Sequence, residues 1–426
     1  MKRLFVEPLD VLMFRSERPF IARESHVAKI GTISPLTFEG ALKSKIFIEF
    51  AQEKNYSASD FQRRRKRDET EEDVRRTLEE LIVKVKDKME KDKELVKLFK
   101  LIGYPINAVE CNVNTLLEVM RNPPLNYPSK LRVLGVFFAE KEKKIEHFPI
   151  PNDIVREDKN GGEVVKLRPS KIELDPDLNL SATFSSYSKV SPIKGLIELD
   201  ELRKYLHGKV PKIKRIKLRK NKESSNPYPY LIEIRTGIQL QRKTKQTVEG
   251  ALYTAEFLRL FENWGFVVWY ELKEIEHEEI YEYLKGIVKI GGEGRGAYIE
   301  RIDDLNLNEK LYFPELIKEI NKEGKFKFYL AAPSCFGNNA WKPPEEELKQ
   351  KLGVDSLKLI AALPGKPVYI GGYDFALNVE KPLRRWVNSG AVYYYRFEGK
   401  IKDDLTLPIK IVKENVDMRC AFIGRW

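Results

Sequence analysis

The stretch that most limits what this chain can fold into is IVKIGGEGRGAYIERI, residues 287–302. It carries Gly291, Gly292, Gly294 and Gly296 with Glu293 and Arg295 between them, and runs straight into an apolar, strand-like segment. Glycine reaches backbone conformations closed to other residues and lets a second group approach the main chain closely. A dinucleotide-binding loop of this composition would follow a strand and open a helix. Here the helix-like HEEIYEYLKG (277–286) precedes and a strand follows, so that assignment fails. The chain also lacks the G-x-x-x-x-G-K-[ST] of a Walker loop. Two readings stay open. One is an RNA-backbone contact, in which glycine amides form an anion-binding nest and Arg295 offers a fork suited to phosphate. The other is a sharp helix-to-strand connection built from residues at positive φ.

The rest of the 426 residues narrows the class. An apolar content of 42% supplies proper cores, and the length suits two or three domains. The net charge of +12 favours a polyanionic partner, but 64 acidic residues mean that the basic excess must be local to matter. Cys111, Cys335 and Cys420 are scattered and form no CxxC, which excludes zinc ribbons and redox motifs and suits a reducing, cytoplasmic setting. No segment approaches the roughly 18 apolar residues of a membrane span. Scarce glutamine beside abundant Lys and Glu is a thermophile-like bias.

Periodicity divides the chain. KRLFVEPLDVLMF (2–14) reads as a first strand, and Pro35 opens a helix with Leu36, Ala41, Leu42, Ile46 and Phe50 on one face. Residues 53–100 turn charged and helix-prone without glycine or proline, which marks an inserted helical segment. Residues 131–150 read as a hairpin; 151–230 is proline-rich and a poor candidate for a compact core. ALYTAEFLRL (251–260) and FVVWYEL (266–272) read as strands joined by an ENWG hairpin turn. With the short helix at 277–286 and the strand AYIERI this gives β-α-β-β-α-β, the ferredoxin-like plan. A second, degenerate copy starts at KFKFYLAAPS (325–334) and continues through EEELKQKLG, LKLIAALPG and AVYYYRFEG. The expected fold is therefore α+β, with two ferredoxin-like (RRM-like) domains. The first, 1–310, carries a helical insertion at about 53–130 and an irregular basic insertion at about 151–230. The second is 311–426.

Several stretches make the pattern specific. Phe14, Arg15, Arg18, Pro19 and Phe20 form an F-R-x-x-R-P-F opening after the first strand. SPLTFEGALKSKI follows at the first helix, and RTGIQLQRKTKQTVEGALYTAEFLRL (235–260) lies in the middle. IGGYD (370–374), KPLRRWVNSGAVYYY (381–395) and IGRW stand in the last third. In these the chain resembles the RAMP superfamily of CRISPR proteins, and within it the third Cmr subunits of type III-B effector complexes. The resemblance implies a non-catalytic subunit that grips the 5′ repeat-derived tag of the guide RNA (crRNA) and caps the foot of the complex. The large polymerase-like subunit and the first backbone subunit are the implied partners, with target RNA met only indirectly. It implies neither metal nor cofactor. It further implies that the glycine-rich loop lies beside the first helix, so that Arg15, Arg18 and Lys43 converge with Arg295 on one stretch of RNA backbone.

Basic residues cluster elsewhere too. From Arg203 to Lys222, ten of twenty residues are Lys or Arg and none is acidic; Arg242, Lys243 and Lys245 follow in QRKTKQ. Such segments can track a single-stranded backbone. RRRKR (63–67) precedes an acid-rich helix and reads as pairing with it. FVVWY fails the RRM consensus, so its aromatics read as core. The histidines are His26, His147, His207 and His277. Some RAMP relatives are metal-independent endoribonucleases, and in that alternative His26 is the general acid/base, with Arg23 and Lys29 beside it. Asp153 and Asp374 lack a metal-ligand constellation.

Overall fold

The computed structural model describes residues 1–14, 27–66, 68–108, 112–158, 162–170, 183–184, 189–214, 216–219, 222–223, 226–241, 244, 246–273 and 278–426. The first sheet contains β1 (Lys2–Pro8), β2 (Leu131–Glu140), β3 (Glu146–Pro149) and β4 (Leu196–Glu198). The strands β5 (Tyr230–Leu240) and β6 (Thr247–Leu260) form a separate ribbon. The sheet is completed by β7 (Trp264–Leu272), β8 (Gly286–Lys289) and β9 (Gly296–Ile302), in the antiparallel order β4-β3-β2-β7-β1-β9-β8. Side chains alternate across it with period two. Leu4 and Val6 face the helix α1 (Pro35–Glu53), while Phe5 faces the other way. That helix starts where expected. Ser34 Oγ accepts from the Leu36 amide, and Pro35 stands at the first turn, where its missing N–H costs nothing.

The helical insertion extends the core on the α1 side. Helices α2 (Glu71–Lys91), α3 (Lys93–Ile102) and α4 (Val113–Arg121) are each capped by a side chain, from Thr70, Asp92 and Asn112 respectively. Phe61 and Phe99 pack against Phe47 of α1, and Leu78, Leu81 and Val85 join the same cluster. Arg63 is buried. Its guanidinium takes Glu69 in a two-pronged pair at 2.8 and 2.9 Å, and donates to Leu377 O (2.9 Å). Lys66 pairs with Asp73 (2.9 Å), so Arg63 and Lys66 of RRRKR have acidic partners within the lobe.

The second sheet is built from β10 (Lys325–Leu330), β11 (Ser356–Leu363), β14 (Val392–Glu398), β15 (Ile409–Val412) and β16 (Asp417–Gly424), ordered β11-β14-β10-β16-β15. Helix α6 (Phe313–Glu323) precedes it and α7 (Glu345–Leu352) follows β10; between β11 and β14 rises a ribbon of β12 (Val368–Asp374) and β13 (Val379–Trp386). The two sheets share one core, in which Phe5, Leu134, Phe137, Val267 and Trp269 meet Phe328, Tyr329 and Phe422.

Two expectations are corrected here. ENWG is not a hairpin turn: β6 pairs with β5, whereas β7 pairs with β1 and β2. The long YLIEIRTGIQL segment competes for β6 and matches it over ten registered pairs, and buried Phe261 and Trp264 turn the chain from ribbon to sheet. Nor is 151–230 free of core. Helix α5 (Leu199–Leu206) within it buries Leu202, Tyr205 and Leu206 against the second sheet, and Tyr205 donates to buried Asp153 (2.8 Å). Among the described residues no helix is long and apolar enough to cross a membrane.

One ionic network ties the two sheets and α1 together. Buried Arg419 on β16 bonds Asp417 (2.7 Å), Glu39 of α1, Val133 O of β2 (2.8 Å) and Asn126 (2.9 Å). Glu39 also accepts from the Val133 amide (3.0 Å) and from Lys43 (2.6 Å). Burial alone would push the Glu39 carboxyl up; Arg419, Lys43 and Arg132 overcome it and hold it well below its ordinary value of 4.5. A depressed carboxyl contributes stability above its ordinary pKa and loses that contribution as acid titrates it. Arg419→Ala is expected to cost about 3–5 kcal/mol in urea denaturation, because it strands two buried carboxylates. Glu39→Gln should be less stable at neutral pH and lose less than the parent between pH 5 and 3; an equal acid response in both would contradict this assignment.

Candidate nucleic-acid interface

The glycine-rich stretch closes a β-hairpin. A 3₁₀ turn, Glu278–Leu284, ends before Gly286–Lys289 enters the sheet edge as β8, paired with β9 from Gly286↔Ile299 to Lys289↔Gly296. The Ile290 amide donates to Arg295 O (2.9 Å) and shuts the loop. The expected helix-to-strand connection is therefore a strand-to-strand one. Ile287 and Val288 alternate exposed and buried as strand residues do, a signal hidden by the helix-like run before them.

The glycines differ in purpose. Gly291 has φ +74°, and a Cβ there would stand 2.3 Å from Met13 O. The Gly292 amide donates to that same carbonyl (2.8 Å). Gly294 has φ +60° and nothing within 4 Å, so the hairpin tip stands open. The loop thus leans its base on the segment leaving β1 and offers its tip to solvent.

Arg295 lies over the ring of Phe257, 4.8 Å from its centroid; Arg235 lies 5.3 Å from the same centroid. Phe257 is buried with Val11, Met13 and Ala255 in a small core between ribbon and hairpin. The two arginines differ in compensation. Arg235 pairs with Glu233 (2.6 Å) and Asp10 (3.0 Å), and Arg259 pairs with the same two acids. The Arg259 and Arg235 guanidiniums hold the Glu233 carboxyl below its usual range. No carboxylate of a described residue pairs with Arg295, and its buried Nε has no hydrogen-bond partner. Neither Phe257 nor the Asp10–Glu233 pair was singled out from the sequence. Their only signal is the alternation of Ala255, Phe257 and Arg259, legible once β5 is known to be the partner.

Arg15, Arg18 and His26 lie outside the described residues. The ends of that segment do not: Phe14 O accepts from Gly31 N (2.7 Å), and Val27–Ala28 pairs in parallel with Thr254–Ala255. The segment therefore leaves and returns beside the glycine hairpin and the ribbon. Lys43 pairs with Glu39, one helical turn away, and donates to Ser129 Oγ (3.0 Å), on the face of α1 that carries the buried network. Arg242, Lys243 and Lys245 lie outside the described residues. Their neighbours Gln241 and Gln246 bond each other (2.8 Å) at the ribbon tip, far along β5–β6 from the anchor at Leu12 and Leu258. In the 203–222 cluster Arg203, Lys204 and Lys214 pair with Asp200, Glu201 and Glu198.

The described histidines and aspartates among the other candidates have partners within the protein. His147 is buried, and burial pushes its imidazole below the ordinary value despite nearby Glu198. A ring nitrogen of His207 lies 2.9 Å from Leu311 O; His277 lies outside the described residues. Asp153 accepts from Tyr205 and Tyr394, and Asp374 from Tyr127. Among the described residues no group of three or more His, Cys, Asp or Glu could hold a metal.

The glycine geometry yields a graded expectation. Gly294→Ala should cost only left-handed backbone strain, about 1–2 kcal/mol. Gly291→Ala adds a clash with the Met13 carbonyl and should lower the melting temperature further. Equal losses in calorimetry would mean that the Met13 contact does not constrain the loop.

The family model for CRISPR-associated protein (Cas_Cmr3) matches residues 4–103 and 107–414. Among solved structures, the chain is similar to a chain of the type III-B Cmr-beta complex bound to cognate target RNA and AMPPnP. The identity is 15% and the TM-score 0.42, covering 92% of this chain and 86% of that one. It is also similar to a chain of the Csm3-Csm4 subcomplex of a type III-A CRISPR-Cas interference complex. That match has 13% identity and a TM-score of 0.36, over 100% and 99% of the two chains. No curated protein matches. With nearly its whole length matched by that family model, the chain belongs to the Cas_Cmr3 family of CRISPR-associated proteins.

Proposed function

We propose that this chain is a non-catalytic RNA-binding and assembly subunit of a type III-B (Cmr) effector complex, gripping the 5′ repeat-derived tag of the guide RNA. In this reading it bridges the large subunit and the first backbone subunit. The order β2-β7-β1-β9, with α1 following β1, is taken as a ferredoxin-like unit within residues 1–310. The order β11-β14-β10-β16 within 311–426 is its degenerate repeat, with the β15 hairpin strand where a second helix would stand.

The observation that carries the reading is the uncompensated guanidinium of Arg295. A buried donor without an acceptor is costly, and a phosphodiester oxygen is the acceptor its planar fork fits best. The hairpin bearing it touches Met13, which precedes Arg15 and Arg18 in the sequence; in this reading those two cations hold the same RNA backbone as Arg295. Gly291, Gly292, Gly294 and Gly296 keep the loop low enough for that approach. Arg242, Lys243 and Lys245, which lie between β5 and β6 in the sequence, track the same strand further on.

Filter binding with single-stranded repeat-derived RNA tests this. Arg295→Ala should cost about 1.5–3 kcal/mol in affinity, as for a hydrogen bond to a charged group. The slope of log affinity against log salt should flatten by roughly 0.7. Unchanged affinity and slope in a folded variant would refute the clamp.

A further inference from the structure

The hairpin has a second face. Along β8, β9 and β1 the paired residues Ile287, Tyr298 and Glu7 point away from α1, as do Lys289, Gly296 and Leu9 in the next row. Their alternates Val288, Ala297 and Ile299 are buried on the α1 side. On the outward face Leu9 is 61% exposed, Ile287 66% and Tyr298 44%. Gly296 raises no side chain between them, and Leu9 Cδ1 lies 3.1 Å from where its Cβ would be. The three form one flat apolar surface at the sheet edge.

The charges around this surface are uneven. Further along the same face Lys141 pairs with Glu7 (2.6 Å) and Lys144 with Glu300 (2.5 Å). At the hairpin end no described carboxylate pairs with exposed Lys289, and Arg295 stands uncompensated on the other face. A phenol ring set among aliphatic side chains, with two unpaired cations on its hairpin-tip side, has the chemistry of a base-stacking position beside a phosphate track. The open tip at Gly294 lets a strand cross the hairpin from one face to the other.

We propose that Leu9, Ile287, Tyr298 and Lys289 form a stacking subsite for one unpaired nucleobase of the RNA strand whose phosphate lies at Arg295. The base lies against the Tyr298 ring, flanked by Leu9 and Ile287, and Lys289 meets the phosphate beyond it. The subsite rests on the RNA-binding reading above.

The test uses the full chain and single-stranded repeat-derived RNA carrying 2-aminopurine at one position at a time, whose fluorescence reports stacking. Tyr298→Ala should weaken binding about ten-fold, the order expected for one lost base–aromatic stack. It should release the fluorescence of one probe position only, and leave the salt slope unchanged. Tyr298→Phe should stay within about two-fold of the parent, since the ring carries the contact. Arg295→Ala, at saturating protein, should keep that probe stacked while flattening the salt slope. Parental affinity and probe signal in folded Tyr298→Ala would overturn the subsite and leave the clamp standing. An effect of Tyr298→Ala with none of Arg295→Ala would overturn the clamp, and with it the strand path proposed for this subsite. Loss of binding to another subunit of the complex, with RNA affinity intact, would make the face a protein contact and refute the proposal.

Discussion

The Arg419 guanidinium is the point on which the arrangement of the two halves depends. It sits on the last strand of the chain yet bonds the first helix through Glu39, the first sheet through Val133 O, and the connecting segment through Asn126. Burial on its own would favour a neutral arginine, but Asp417 and Glu39 keep it firmly charged. A buried ion pair of this kind adds little net stability over a well-packed apolar substitute, but breaking it is costly. Its effect here is positional: α1 must lie on the first sheet at a fixed angle to β16, and the 417–424 strand must close the second sheet in one register.

That constraint reaches the candidate interface through α1 and β1. The helix seals the face of the first sheet that buries Val288 and Ile299, which leaves Tyr298 and Ile287 facing outward. At the end of β1 the chain passes Met13, whose carbonyl holds the Gly292 amide, and Leu12, which bridges to Leu258 of the ribbon. Hairpin, ribbon and the ends of the 15–26 segment therefore hang on one small core of Val11, Met13, Ala255 and Phe257. The same network engages Lys43, which pairs with Glu39 one helical turn away.

Much of this was legible in the sequence because local signals sufficed. Pro35 after Ser34 marks the start of α1, the glycine- and proline-free charged run marks the helical lobe, a continuous apolar run marks β7, and KFKFYL marks β10. What escaped was decided by long-range pairing. A four-residue link suggested that β6 and β7 pair, but β5, which emerges directly from the proline-rich stretch, takes β6 instead. Leu199, Leu202, Tyr205 and Leu206 have helical spacing, yet the flanking basic residues made the segment look irregular. At the glycine loop the residue types were informative and the preceding element was not. Four residues of strand are too few to register against a longer helix-like run, so the hairpin, and with it the outward face at Tyr298, could not be seen.

The account turns on the glycine hairpin being the place where the RNA backbone meets this chain. Photo-crosslinking of 4-thiouridine-substituted guide RNA in the assembled complex, with the modified residues identified by mass spectrometry, addresses that directly. Crosslinks from the tag should fall within 289–298, with others in the 15–26 segment and at the tip of the 230–260 ribbon. Tag crosslinks confined to the helical lobe or to the outer face of β12 and β13, with none in the hairpin, would contradict it.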